Sequence, residues 1–192
     1  MHCTGILLAA GRGRRYDPTG VENKLLQRCA NGDVLVLRAA RQLVQVLPKT
    51  LAVVHSDAHD LRALFEANGL ITTACPDAAN GMGHSLAHAI GQSLNACGWI
   101  IALADMPQVR ASTIAALDDA ICSGADIAVP THNGVRGNPV GFSRHHRDAL
   151  LQLRGDQGAR NLLTSSPVTE VAVDDPGIFF DIDTPLDLQK IS

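Results

Sequence analysis

The stretch Gly5-Ile6-Leu7-Leu8-Ala9-Ala10-Gly11-Arg12-Gly13-Arg14-Arg15-Tyr16 decides how this chain is read. Its first half, Gly5–Ala10, is an apolar run of the length of one buried strand and too short to span a bilayer. No basic lead precedes it and it runs straight into glycines and arginines, so it reads as a first strand rather than a signal peptide. The second half changes character at once. Gly11 and Gly13 permit close approach of the backbone to an anion and their N–H groups can turn inward as a nest, while Arg12, Arg14, Arg15 and the later Lys24 add long cations. Such a turn can also be no more than solvated basic surface. Its place at the end of the first strand favours a cradle for a polyphosphate. A dinucleotide fingerprint would need glycine where Tyr16 stands, and a P-loop would need GxxxxGK followed by Ser or Thr, which the chain lacks.

Outward from this loop, apolar runs of strand length recur at Leu51–His55, Leu70–Cys75, Trp99–Ala104, Ile127–Pro130, Pro139–Ser143, Val168–Val173 and Ile178–Phe180. Between them lie helical stripes. Leu37, Ala40, Val44 and Leu47 form one, closed by Pro48; Leu61, Leu64 and Phe65 form another, closed by Asn68-Gly69. Leu86, Ile90 and Leu94 recur every four residues, and Ile114, Leu117 and Ile121 follow Ser112 as an N-cap. This alternation predicts an α/β fold: a single-domain, Rossmann-like three-layer α/β/α sandwich with a mostly parallel sheet, spanning residues 1–192. In such sheets ligands gather at the carboxyl ends of strands, near a topological switch point.

Composition narrows the function classes. The 192 residues are 46% hydrophobic but only 3% aromatic, with four Phe, one Tyr and one Trp, so the core rests on Ala, Leu, Val and Ile and no stacking platform for single strands or glycans is expected. Sixteen Lys and Arg stand against 19 Asp and Glu, for a formal net charge of −3, which speaks against nucleic acid as partner. Cys3, Cys29, Cys75, Cys97 and Cys122 are scattered and form no CxxC pair; they read as reduced thiols of a cytoplasmic protein, with Cys75 and Cys97 in the core. No membrane association is expected. His84 with His88, and His55 with His59, have helical spacing but lack HExxH and a third ligand, and His145-His146 reads as the top of a solvated helix. No GxSxG elbow is present for a serine hydrolase.

The loop, with its continuation to Lys24, resembles the L-A-A-G-x-G-x-R…K signature of GT-A-like nucleotidyltransferases, and most of all the MobA-like NTP transferases of molybdenum cofactor maturation in their cytidylyltransferase branch. Further matches keep the family's order: Gly81-Met82-Gly83-His84-Ser85-Leu86, Ala102-Leu103-Ala104-Asp105-Met106-Pro107, Gly137-Asn138-Pro139-Val140-Gly141-Phe142, Gly155-Asp156-Gln157-Gly158-Ala159-Arg160 and Asp181-Ile182-Asp183-Thr184-Pro185. Together they run from Ile6 to Leu188.

The resemblance implies a division of labour, with nucleotide held by the N-terminal part and acceptor by the C-terminal part. The backbone of Gly11 and Gly13 with Arg15 would hold the β- and γ-phosphates and Lys24 would reach the α-phosphate, Ala9 and Ala10 would also border the nucleotide, and Gly81, Met82, Gly83 and Ser85 would hold the nucleoside. Lys24, Arg15 and Asp105 would be the catalytic set. Asp105 would bind Mg2+, since it ends an apolar strand and a carboxylate there can hold a hard cation through oxygen. Asp181 or Asp183 would supply the second ligand; the alternation of an extended segment is read as turning only one of them to the metal, and Asp183-Thr184-Pro185 equally fits the cap of the last helix. Gly137, Asn138, Pro139 and Arg160 would face the acceptor, on a basic face that could include Arg136 and Arg144. Ala10, in L-A-A-G, favours CTP over GTP as donor.

Two departures from the family pattern stand out. Eight residues, Tyr16 to Asn23, separate Arg15 from Lys24, which suggests a bulged loop, and Asn138 replaces the usual His with an amide that cannot titrate near neutrality. The implied activity is Mg2+-dependent transfer of CMP from CTP to the terminal phosphate of molybdopterin, with transient contact with a client molybdoenzyme. Alternatives are the same chemistry with GTP or with a sugar or polyol phosphate, a non-catalytic cofactor-binding chaperone of a molybdoenzyme, and a nicotinamide-dependent oxidoreductase, against which the missing dinucleotide glycine speaks.

Overall fold

The structure, a computed structural model, describes residues 2–20, 22–156 and 158–191. The elements run β1 (Thr4–Ala9), α1 (Leu35–Val46), β2 (Thr50–His55), α2 (His59–Ala67), β3 (Ile71–Cys75), α3 (Met82–Gly91), β4 (Gly98–Leu103) and α4 (Ala111–Cys122). Then come β5 (Ile127–His132), β6 (Val135–Arg136), β7 (Val140–Ser143), α5 (Arg147–Leu151), α6 (Arg160–Ser165), β8 (Val168–Ala172) and α7 (Pro185–Gln189). The strands form one eight-stranded sheet in the order β3-β2-β1-β4-β7-β5-β6, with β8 paired to β5. Pairs β1–β2, β1–β4, β2–β3 and β5–β8 are parallel, and β7 enters antiparallel between β4 and β5.

The period of two in a strand explains why the central runs are apolar throughout. In β1, Leu7 and Ala9 face one core with α1 and α4, through Leu35, Leu43, Leu117 and Ile121, whereas Ile6 belongs to a second core with α3 and α5, through Leu86, Ile90 and Leu150. In β4 the same alternation sends Ile100 to the first core and Trp99 and Ile101 to the second. Helices therefore cover both faces. Among the described residues no helix is long and apolar enough to cross a membrane.

Local expectations fail in four places. Ile178–Phe180 is not a strand: Pro176–Phe179 forms a 3-10 turn, because the Asp175 side chain accepts from Gly177 N and Gly177 lies against Gln108, whose carbonyl oxygen would be 2.3 Å from an added Cβ. Ser112 does not cap α4 but lies inside it; the terminus is satisfied from elsewhere, Ala111 N donating to Gln42 Oε1 at 2.9 Å. Leu94 lies beyond the end of α3 and is exposed. The two-residue strand β6 carries no apolar run that could announce it.

Buried Asp175 sets the position of the C-terminal segment. Its carboxylate accepts from Arg110 N at 2.8 Å, Thr113 Oγ1 at 2.6 Å and Gly177 N at 3.0 Å, which pins the chain after β8 to the start of α4. Asp175→Ala leaves these buried donors unsatisfied and should lower stability by about 2–4 kcal/mol, read as a lower urea midpoint at unchanged slope.

Candidate active site

The chain leaves β1 toward β2 and β3 and then returns to place β4 on the other side of β1, which makes the β1–β4 junction the switch point of the sheet. A cavity of about 890 Å³ opens there, lined by the turn after β1, by Leu103–Asp105 after β4, and by the 78–85 and 181–183 segments. Gly11 borders it, and a Cβ added there would meet nothing within 4 Å, whereas Gly13 has φ +59° and would bring a Cβ to 3.2 Å from Lys24 Cγ. The turn thus leaves the backbone open at one glycine. At the other it makes room for the lysine stem.

Lys24 opens a single 3-10 turn whose cap, Asn23 Oδ1, accepts from Leu25 N. Before it, Asp17 accepts from Thr19 N at 2.8 Å and from Glu22 N at 2.7 Å, and Lys24 still reaches the cavity despite the longer spacing from Arg15. Its side chain is buried and its ammonium donates to Asp105 Oδ2 at 2.7 Å and to Ile182 O at 2.8 Å, with Asp183 Oδ1 at 3.5 Å. Arg15 pairs with the other oxygen of Asp183. Ile182 N in turn donates to Asp105 O at 2.9 Å, docking the late segment against the end of β4.

Asp181 and Asp183 both line the cavity, because residues two apart on an extended segment share a face, and Ile182 between them turns into the core. The cap of α7 is Thr184, which forms a capping box with Asp187, so Asp183 is left to the cavity. Burial pushes the Asp181 carboxyl above its ordinary range, and the neighbouring charges of Asp183 and Asp105 push it further. Carboxylates this crowded around two cations suit a hard divalent ion, which takes one or two of them and completes its shell from phosphate and water.

Gly81 and Gly83 serve a contact that the sequence does not show. A Cβ on Gly81, at φ +116°, would stand 2.4 Å from Gly155 C, one on Gly83 would stand 2.8 Å from the Arg154 backbone, and Gly83 N donates to Gly155 O at 2.8 Å. They seat the 154–156 loop, and that loop brings Asp156 to the cavity together with Arg160. Gly83 itself does not line the cavity, whereas Gly81, Met82 and Ser85 do, as do Ala9 and Ala10. Within the motif that follows, Gln157 lies outside the described residues.

The structure separates the four expected acceptor residues. Arg160 lines the main cavity, but Gly137 packs under Ile178, Asn138 N donates to Ile178 O at 3.0 Å, and Asn138 and Pro139 border a second, much smaller cavity. Arg136 is paired with Glu170 at 2.8 Å, away from the cavity lining. The histidine pairs are occupied otherwise: His88 Nε2 is 2.7 Å from Thr73 Oγ1, His84 Nδ1 accepts from Gly155 N at 3.3 Å, and His55 pairs with Asp57. Asp156 and the Ala78-Ala79 pair are cavity residues to which sequence reasoning gave no role; the alanines carry no chemical signal, and Asp156 is one polar position among several in its motif.

A switch-point cavity that joins a glycine-rich turn, a buried lysine and four carboxylates is the arrangement of a nucleotidyltransferase, which neutralises a triphosphate while its α-phosphate is attacked. The chain belongs to the MobA-like NTP transferase family, whose domain matches residues 5–171. It is 30% identical, over 94% of its length and 91% of the relative's, to the purine catabolism protein PucB of Bacillus subtilis. Among solved structures, Rv0371c of Mycobacterium tuberculosis superposes with a TM-score of 0.80 at 26% identity, covering 97% of this chain and 96% of that one, and the same protein has been solved in complex with manganese. Molybdopterin-guanine dinucleotide biosynthesis protein A of Archaeoglobus fulgidus shares the fold, with a TM-score of 0.70 at 20% identity over 96% of this chain and 94% of that one.

Gly81→Ala forces a side chain into the 154–156 loop from a positive φ. It should lower the melting temperature and weaken nucleotide binding together, measured by thermal unfolding with and without nucleoside triphosphate, because it displaces the loop that carries Asp156.

Proposed function

We propose that this nucleotidyltransferase moves CMP from CTP to the terminal phosphate of molybdopterin, with Mg2+ and release of pyrophosphate. The observation that carries the reading is the convergence of Lys24 and Arg15 with Asp105, Asp181 and Asp183 on one cavity. The manganese complex of Rv0371c supports a divalent ion, and the carboxylate donors suit magnesium equally. CTP rests on Ala10, in the L-A-A-G form of the loop.

In this reading the open backbone at Gly11 and the turn at Gly13 bind the β- and γ-phosphates with Arg15. Lys24 exchanges its carboxylate partners for the α-phosphate, where negative charge grows as the bond to pyrophosphate breaks. Met82 and Ser85 border the nucleoside, with Gly81 and Gly83 holding the wall behind it. Asp105 and one or both of Asp181 and Asp183 hold the divalent ion, which supplies charge neutralisation to the phosphates when bound. Arg160 receives the acceptor's phosphate so that its oxygen lies in line with the leaving group. Asn138, with Gly137 and Pro139, acts behind the acceptor wall rather than in the main cavity. The reading includes transient contact with a client molybdoenzyme and a cytoplasmic setting, and the likeness to the purine catabolism protein PucB favours purine catabolism as the context.

Purified protein incubated with each of the four nucleoside triphosphates, magnesium and molybdopterin should release pyrophosphate with CTP and give the cytidylylated mass. Turnover with GTP alone, or none with any pterin, overturns the corresponding part. Lys24→Ala and Asp105→Ala should each lower pyrophosphate release at least about a hundredfold, the first by loss of a transition-state contact to phosphate and the second by loss of a ligand to the divalent ion.

A further inference from the structure

At the opposite pole of the sheet the fold gathers three cysteines that are far apart in the chain. Cys3 immediately precedes β1, Cys97 immediately precedes β4, and Cys122 ends α4; their sulfurs all lie within 4.8 Å of one another. β1 and β4 are parallel and each six residues long, so this cluster is about 20 Å from the strand ends that border the substrate cavity. We propose that Cys3, Cys97 and Cys122 form a thiolate site for a soft d10 metal ion, with zinc as the favoured occupant.

The geometry suits such an ion. Zinc–sulfur bonds of about 2.3 Å in a tetrahedron place sulfurs about 3.8 Å apart, so three thiols already within 4.8 Å need to close by about 1 Å at most. The fourth position is left to a solvent molecule on the side where Cys122 is exposed. Gly98 makes room for the cluster, since a Cβ there would stand 3.1 Å from Cys3 Sγ.

The surroundings complete a second layer. The buried Asp118 carboxylate accepts from Cys3 N at 2.8 Å and holds His2 through Nδ1 at 2.6 Å, while Cys97 Sγ donates to His2 O at 3.0 Å. Three neighbouring thiols beside a carboxylate repel one another once ionised, and a divalent cation removes that repulsion. Each thiol that binds gives its proton to solvent, so metal uptake acidifies an unbuffered solution. By tying the starts of β1 and β4 to the end of α4, the ion stabilises the folded chain by mass action.

Cobalt(II) is the probe for the full-length, freshly reduced protein. One equivalent should give thiolate-to-cobalt charge-transfer absorption with tetrahedral visible bands, displaced by zinc, and zinc should raise the melting temperature. Cys97→Ser and Cys122→Ser, at positions that are not fully buried, should weaken cobalt binding at least tenfold while leaving nucleotidyl transfer unchanged, and Asp105→Asn should leave the charge-transfer bands intact. A parallel titration with copper(I) separates the two d10 ions: displacement of cobalt by copper(I) but not by zinc supports the thiolate site and reassigns its occupant. No charge-transfer absorption, bands that survive both cysteine variants, or a disulfide among the three in place of metal uptake overturns the proposal.

Discussion

Three segments far apart in the chain meet at one ammonium group. Lys24 reaches back from its 3-10 turn to Asp105 at the end of β4, to the carbonyl of Ile182, and to Asp183 just beyond it. A lysine 8% exposed is tolerable only when its charge is matched and its donors are used, and here a carboxylate, a carbonyl and a second carboxylate surround it. The same contact explains the glycine at position 13, whose missing side chain leaves space for the lysine stem. It also explains why the C-terminal segment, which contains no strand, still lies against the switch point.

That interaction turns a fold into a site. The overall charge of −3 hides a local arrangement in which Arg15 and Lys24 are held by acids of the opposite wall. In the proposed function, a triphosphate arriving with its divalent ion would offer both sides new partners: phosphate oxygens for the cations, metal for the carboxylates. The cations are held close to where they would be used, so little of the binding energy goes into gathering them. Low aromatic content is compatible with this design, because charged side chains, glycines and small aliphatic residues form most of the lining and Tyr16 is the one aromatic residue among the lining residues.

The fold was legible because its signals are local. Alternating apolar runs and helical stripes in Leu51–His55, Trp99–Ala104 and Ile114–Ile121 report burial on the strand or helix that contains them. The glycine-rich turn after β1, which lines the cavity, was legible for the same reason. What sequence could not give were contacts made across the fold. Gly81 and Gly83 read as room for a nucleoside, yet the nearest atoms belong to Gly155 and Arg154. Asp175 carries no motif, and its role depends on α4 being beside it. Cysteines at 3, 97 and 122 form no spacing pattern; the parallel pairing of β1 with β4 brings Cys3 beside Cys97, and α4 packed on that sheet adds Cys122. Gly137, Asn138 and Pro139 stood in order along the chain with Arg160, but β7 turns them toward Ile178 and away from it.

The dependence of the site on Lys24 is tested most directly by a double-mutant cycle with Lys24→Met and Asp105→Asn, followed by urea unfolding of all four proteins. Both side chains are less than one-quarter exposed, so their coupling is not screened away. A coupling energy of about 1–3 kcal/mol is expected, with the double variant more stable than the sum of the two losses implies. Losses that add to within about 0.5 kcal/mol would mean that the lysine and the aspartate do not hold the site together, and the account would fail at its centre.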